Sequence, residues 1–181
     1  MSMAKNPRLG VGFAGVGAGL LAGIVFIVFD MVVTAALGMP FIMPLRMIGA
    51  TALGKAALMP SFPAAAAVGA GLGVHFLNAA VYGVGFTAAV LSVPALRGHR
   101  AAIVVVGLLF GLALWLINFY VIAKILWPWF LMANPVVQFF AHTFFFGDPL
   151  GVLVAAWQPV PGPAPGGVPN PGLGRDVRKS V

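Results

Sequence analysis

Residues 101–123 read AAIVVVGLLFGLALWLINFYVIA and contain no charged side chain. About 20 consecutive apolar residues suffice for an α-helix to cross the hydrocarbon layer of a membrane. The stretch therefore predicts a transmembrane helix, which we extend to residues 101–126. Outward from it, three more apolar stretches lie at 9–37, 67–91 and 135–157. The sequence predicts an all-α, polytopic four-helix transmembrane domain over residues 1–157.

The composition of the whole chain points the same way. Of its 181 residues, 61% are hydrophobic and 7% are charged, whereas roughly a quarter of the residues in a soluble domain are charged. The chain has no cysteine, which excludes disulfides, thiolate metal sites and covalently attached c-type haem. The sequence contains no nucleotide-binding loop and no hydrolase or metalloprotease motif. An enzyme is therefore not expected.

The positions of the basic residues predict the orientation. Seven of the ten lie at one end of the predicted helices, namely Lys5, Arg8, Arg97, Arg100, Arg175, Arg178 and Lys179. The other three, Arg46, Lys55 and Lys124, lie at the opposite end. Because loops rich in Lys and Arg stay in the cytoplasm, both termini are expected on the cytoplasmic side. The net charge of +7 is thus an orientation signal, and no nucleic-acid partner is predicted.

A long loop, residues 38–66, joins the first two predicted helices on the outer side. After Pro44, residues 45–55 fit a short helix in the outer interface, with Arg46 and Lys55 directed toward lipid headgroups. The glycines in this segment fit an irregular loop as well. Both alternatives stay open on the sequence alone.

Prolines mark two further places. Asp148 and Pro149 lie near the middle of the fourth predicted helix, where a proline predicts a kink. Residues 158–181 contain six closely spaced prolines from Pro159 to Pro171. This segment is expected to be an extended, Pro-rich cytoplasmic tail that suits docking on a partner protein.

The first and third predicted helices resemble each other. An offset of 88 residues aligns 19–23 with 107–111 and Asp30 with Asn118, and the second and fourth helices align on His75 and His142. This pattern predicts a parallel repeat of two helical hairpins. The glycines at 15, 19 and 23, and those at 107 and 111, form stripes that allow close helix–helix packing.

Few polar side chains lie within the predicted helices. Those that we expect to form an intramembrane network are Asp30, His75, Asn78, Asn118 and His142. Four of them, Asp30, His75, Asn118 and His142, are expected at a similar depth, because each residue of a helix adds about 1.5 Å of rise. His75, Asn78 and Tyr82 share one face of the second helix, because their spacing is three and then four residues. Polar groups inside a membrane need partners, so a structural hydrogen-bond network is the first interpretation.

Two functional interpretations compete with that network. His75 and His142 stand on different helices and fit the two axial ligands of a haem b, or a metal site in which Asp30 is the third ligand. Alternatively, Asp30 beside a histidine fits proton handling, in a transporter for protons or a small solute.

Several motifs resemble a family of small bacterial four-helix membrane proteins of unknown function. They are Gly38-Met39-Pro40 with residues 45–50, His75-Phe76 with Tyr82-Gly83, and residues 141–147 with Leu150-Gly151. The resemblance covers residues 10–157. It implies a four-helix fold in the bacterial inner membrane and supplies no activity. Asp148-Pro149 departs from the apolar pair of that pattern, which puts a straight fourth helix in doubt.

With no catalytic motif, the sequence favours a non-catalytic accessory or structural subunit of a larger membrane complex, such as one of electron transfer. The glycine stripes and the phenylalanines between 139 and 146 provide packing faces for other membrane subunits. No cofactor belongs to this hypothesis. Haem b, bound by His75 and His142, belongs to the first alternative, and transport centred on Asp30 to the second.

Overall fold

The structure, a computed structural model, describes residues 7–157, with side chains from residue 12 onward. Five helices make up most of this part of the chain: α1 (Pro7–Ala36), α2 (Met43–Leu53), α3 (Ala64–Ser92), α4 (Arg100–Ile125) and α5 (Pro135–Trp157). Short 3-10 turns lie at Lys55–Leu58, Pro94–Leu96 and Pro128–Met132. The predicted tail at 158–181 lies outside the described residues.

Four of these helices, α1, α3, α4 and α5, are long and apolar enough to cross a membrane. The predictions of an all-α fold and of four helices that are long and apolar enough to span a membrane are therefore confirmed. Each long helix pairs its backbone groups within itself, which is what lipid requires of a spanning segment. Large apolar side chains cover their outward faces, for example Leu77 and Val121.

Small residues bring α1 and α3 into close contact. A Cβ added at Gly19 would collide with the carbonyl group of Ala79, and one added at Gly83 would collide with the backbone of Gly19. Gly23, one turn further along the stripe, lies against Ala79 and His75. Such close approach of backbones replaces the hydrophobic driving force that is absent between helices in lipid.

The pair α4 and α5 packs in the same manner. Gly107 lies against the backbone of Gly147 and Gly151, and Gly111 lies against the carbonyl group of His142 and against Gly147. Both glycine stripes that the sequence indicates are therefore helix–helix contacts, each inside one hairpin.

The fourth side of the bundle is only partly closed. The first helix, α1, packs against α3 and α5, and α5 also packs against α4, but α3 and α4 touch at few places. Among these contacts, Phe110 of α4 meets Tyr82 and Phe86 of α3, with ring centroids 6.4 and 5.3 Å apart. Nearer to α2, the side chain of Asn78 is exposed and that of Asn118 is half-buried, which leaves a gap between α3 and α4.

The long loop between α1 and α3 contains a true helix, α2, which packs on α3 instead of lying loosely at the surface. The expectation that Arg46 points toward lipid headgroups is wrong, because its side chain is only 9% exposed. Its guanidinium group donates hydrogen bonds to the carbonyl oxygens of Ala57, Met59 and Phe62, at 3.0, 3.0 and 3.2 Å. A planar group with five N–H donors suits this task. Lys55, in contrast, is exposed.

Two of the long helices contain a π-helical segment, Ile117–Ile122 in α4 and Thr143–Gly147 in α5. The second segment directly precedes Asp148, where we expected a kink, and the helix resumes α geometry through Pro149. Each π segment includes or adjoins a residue singled out from the sequence, Asn118 in α4 and His142 in α5. Such π segments inside α-helices are frequent at functional sites.

Candidate functional site

A cavity of about 460 Å³ lies in the half of the bundle next to α2. All four long helices line it, together with α2 and the segment before α5. Most of the lining is apolar. The polar side chains on its wall are Asp30, Thr34, Thr51, His75, Asn78, Tyr82, Asn118, Asn134, Gln138 and His142. The five polar residues of the predicted network thus all line one cavity.

The cavity ends within the bundle. Past Tyr82, in the direction away from α2, the interior is filled by its largest fully buried side chains, Phe86, Val90, Ile103 and Leu150. Phe86 and Val90 follow Tyr82 on the same helix, one and two turns further along. The described part of the chain therefore holds a pocket with one closed end instead of a path through the bundle.

Asp30 and Gln138 form the polar link between α1 and α5. The Gln138 side-chain amide donates a hydrogen bond of 2.9 Å to Asp30 Oδ1. Both residues are buried, at 5% and 7% exposure. Because Asp30 has a partner on another helix, this bond fixes the position of α5 against α1. The second carboxylate oxygen of Asp30 adds a hydrogen-bond acceptor to the cavity wall.

His75 is held by the backbone of α1. Its Nε2 lies 2.9 Å from the carbonyl oxygen of Gly23, so this nitrogen carries the proton that it donates. The absence of a side chain at Gly23 allows the approach. The ring of Phe26 stacks on the imidazole at 5.5 Å between centroids. In the neutral ring the other nitrogen, Nδ1, is then a hydrogen-bond acceptor.

His142 is held by its own helix. Its Nδ1 donates to the carbonyl oxygen of Gln138, one turn earlier, at 2.8 Å. The edges of Phe26 and Phe119 pack on the imidazole, with centroids 4.9 and 5.6 Å away. In the neutral ring Nε2 is the acceptor. The two histidines are therefore arranged alike, each with one nitrogen bonded to backbone and one acceptor nitrogen left over.

Tyr82 of α3 and Asn118 of α4 line the cavity on the two sides of the gap between these helices, near its closed end. Asn78, one turn before Tyr82, is exposed at the same gap. The polar part of the wall thus runs from the Asp30–Gln138 bond across the two histidines to the opening between α3 and α4.

The arrangement of the histidines bears on the haem hypothesis. Phe26 packs against both imidazoles, stacked on that of His75 and perpendicular to that of His142. One nitrogen of each histidine is bonded to a backbone carbonyl oxygen, which leaves one nitrogen of each as a possible ligand. The haem hypothesis stays a prediction.

The metal hypothesis needs a third ligand close to the histidines. Within residues 7–157, no three His, Asp or Glu side chains come together as a group that could hold a metal ion. Asp30 lines the same cavity as His75 and His142, but its carboxylate oxygen Oδ1 is engaged by Gln138. The three residues share a wall and do not form a ligand set.

The charge on the wall has one sign. Asp30 is the acidic residue of the cavity lining, and that lining includes no Lys or Arg. The basic side chain of α2, Arg46, is turned into the loop that follows this helix, where it donates hydrogen bonds to three carbonyl oxygens. The cavity therefore offers acceptors and a carboxylate without a compensating cation from the protein.

Gln138 is the residue of this site that the sequence interpretation missed. It lies four residues after Asn134 and four before His142, so all three share one face of α5. All three line the cavity, and Asn134 also caps α5 by accepting from the backbone N–H groups of Val136 and Val137. The spacing of polar residues at four-residue intervals was the available signal.

Comparison of the chain with protein-family models, with curated proteins and with solved structures finds no match. The bundle and its cavity are therefore the basis for assigning a function.

Proposed function

We propose that this chain is a non-catalytic integral membrane protein that binds a small lipid-soluble molecule inside its helical bundle. The observation that carries the proposal is the cavity of about 460 Å³, which is lined by apolar side chains and has a group of polar side chains at its inner end. Binding sites for small molecules combine these features: a largely apolar pocket of some hundreds of Å³ and a few placed polar groups.

The closed end of the cavity favours binding over transport centred on Asp30. A solute crossing the bundle would have to pass the positions of Phe86, Val90, Ile103 and Leu150, which fill the interior below the cavity. Interiors packed in this way open only through a rearrangement of helices. The glycine contacts between α1 and α3 and between α4 and α5 oppose such a rearrangement, because their backbones are already in contact.

The proposal includes a location and an orientation. The protein would lie in the inner membrane of a bacterium, with both termini in the cytoplasm and α2 on the outer side, because most Lys and Arg residues lie at the end opposite α2. The cavity would then occupy the outer half of the bilayer. Two further predictions accompany the binding proposal. The chain could be an accessory subunit of a larger complex, and His75 and His142 could bind a haem b.

Matching contacts in the two hairpins support a parallel repeat as part of the same proposal. Gly23 lies against His75, and Gly111 lies against His142. On the next turn, Gly19 contacts Ala79 and Gly83, as Gly107 contacts Gly147 and Gly151. The matching positions of α3 and α5 are 67 residues apart at His75 and His142, and 68 residues apart at Gly83 and Gly151. The π-helical segment of α5 lies between these positions, and a π-helical turn inserts one additional residue. A cavity between two equivalent hairpins follows from this arrangement.

The test is native mass spectrometry of the full chain, extracted from its own membranes in mild detergent. We expect discrete bound species of small-molecule mass, which chloroform extraction releases for identification. The variant Val74→Trp fills the cavity from α3 and should lose them. The variant Val81→Trp, on the exposed face of the same helix, is the matched control and should keep them. Bound species that are equal in both variants would contradict the proposal.

A further inference from the structure

The polar end of the cavity includes three side chains that each keep a hydrogen-bond acceptor. Because His75 donates through Nε2 and His142 through Nδ1, their neutral rings leave Nδ1 and Nε2, respectively, as acceptors. Asp30 accepts through Oδ1, and its second oxygen remains. Three acceptors from three helices thus line one space.

These acceptors keep access to the cavity. In the described part of the chain, the fully enclosed side-chain atoms without a partner are Thr87 Oγ1, Trp115 Nε1 and Thr143 Oγ1. None of the three cavity acceptors is among them. Thr87, Trp115 and Thr143 do not belong to the cavity lining either. The acceptors of Asp30, His75 and His142 are therefore available to a molecule that enters, and a hydroxyl group on that molecule could donate to one of them.

The surroundings of the acceptors are aromatic. Phe26 and Phe119 lie edge-on against the imidazole of His142, and Phe26 meets Phe146 in the same way, with centroids 6.4 Å apart. Aromatic rings favour this edge-to-face packing with a further ring. An aromatic head group would extend the cluster, whereas a flexible alkyl alcohol would not use it.

The end of the cavity next to α2 has a different character. Four methionines line it, namely Met39, Met43, Met47 and Met132. Methionine side chains are unbranched and polarisable, so they adapt to flexible apolar groups. This end fits an alkyl or isoprenoid chain, and the polar end fits the head.

We propose that the bound molecule is an alkyl-substituted phenol or hydroquinone, whose hydroxyl group donates to one of the acceptors of Asp30, His75 and His142. This inference rests on the proposed function. Acids such as fatty acids are disfavoured, because an anion would be buried beside a carboxylate with no Lys or Arg on the wall. A phenol ether of the same shape would leave the acceptors unpaired.

The test uses the wild-type full chain in lipid nanodiscs that share one solution with empty nanodiscs. The probes are para-octylphenol, its methyl ether para-octylanisole, para-octylbenzoic acid and para-octylbenzylamine. Binding is measured as the amount of probe in the protein-containing nanodiscs minus the amount in the empty nanodiscs. This difference corrects for partition of the probe into lipid. We expect the phenol to bind about tenfold more tightly than the ether, as one hydrogen bond to a buried acceptor implies, and more tightly than the acid. The amine tests whether a cation that pairs with Asp30 is the preferred occupant instead.

The outcomes separate this inference from the proposed function. A phenol-to-ether ratio below about threefold, or tighter binding of the amine or the acid, would overturn the phenol inference and leave the binding function intact. Equal excess of every probe in wild type and in Val74→Trp would overturn both. Among His75→Phe, His142→Phe and Asp30→Leu variants that keep their thermal stability, at least one should bind the phenol and the ether alike.

Discussion

The side-chain amide of Gln138 donates a hydrogen bond of 2.9 Å to the carboxylate of Asp30, across 108 residues of sequence. The bond joins α5 to α1 at the wall of the cavity, and both side chains are buried. Buried polar groups in a membrane bundle require such partners. The pair stabilises the bundle. It also determines the shape of the cavity, because it holds together the two helices that carry Phe26 and His142.

The Asp30–Gln138 pair predicts a non-additive effect of substitution. Gln138→Leu leaves the carboxylate of Asp30 without its partner and should lower the free energy of unfolding by about 2 kcal/mol. The double variant Asp30→Leu with Gln138→Leu removes both polar groups and should be closer to wild type than Gln138→Leu alone. Reversible unfolding in mixed micelles measures these two variants and Asp30→Leu alone. A double variant that loses the sum of the two single losses would show that the bond contributes nothing.

The packing of α1 on α3 predicts that glycine is required at Gly19. In Gly19→Ala the new Cβ meets the carbonyl group of Ala79, which belongs to a helix backbone and has no room to shift. The expected loss is about 1–3 kcal/mol. Gly73→Ala is the control, since nothing lies within 4 Å of a Cβ at that position, and it should leave stability unchanged or raise it by up to about 1 kcal/mol. The same micelle measurement applies, and equal effects at both glycines would refute the close contact.

The buried guanidinium group predicts a different result for the two basic residues of the outer loop. Arg46→Met removes three hydrogen bonds to backbone carbonyl oxygens, and we expect a loss of about 2 kcal/mol together with faster proteolysis within residues 55–63. Lys55→Met removes the same charge from an exposed position and should change stability by less than about 0.5 kcal/mol. Because the charge change is identical, a similar loss in both variants would mean that charge, not the bonds of Arg46, stabilises the loop.

The proposed orientation predicts which loops react from outside the cell. The chain has no cysteine, so single cysteines introduced at Met59 and at Ala95 are unambiguous reporters. Met59 lies in the loop beside α2, and Ala95 lies in the turn between α3 and α4, both exposed. A membrane-impermeant maleimide added to spheroplasts should label Met59→Cys and should label Ala95→Cys only after lysis. The reverse pattern would invert the orientation.

The gap between α3 and α4 predicts the route by which a lipid-soluble molecule reaches the cavity. Asn78→Trp narrows this gap and should slow the association of para-octylphenol several-fold, because a bulky ring then obstructs entry from the bilayer. Leu77→Trp is the matched control, since Leu77 is 64% exposed, adjacent in sequence and not part of the cavity lining. Stopped-flow quenching of tryptophan fluorescence gives both rates. If the two variants associate at one rate, entry occurs elsewhere.

The sequence by itself determined the helices. Uninterrupted apolar stretches such as residues 101–123 leave the backbone no partner but itself in lipid, so four long helices follow from composition and length. The glycine stripes were also readable, because small residues at one-turn intervals have one main use in a membrane helix. The similar depth of Asp30, His75, Asn118 and His142 followed from counting residues along the helices.

Only the tertiary structure decided what these residues do to one another. The partner of Asp30 is Gln138 and not a histidine, because partner choice depends on the rotation of each helix about its axis, which a count of residues does not fix. The burial of Arg46 depended on where three carbonyl oxygens of a loop converge. The cavity itself arises from the wide separation of α3 and α4. An empty space between helices is a property of their packing, and no single stretch of sequence encodes it.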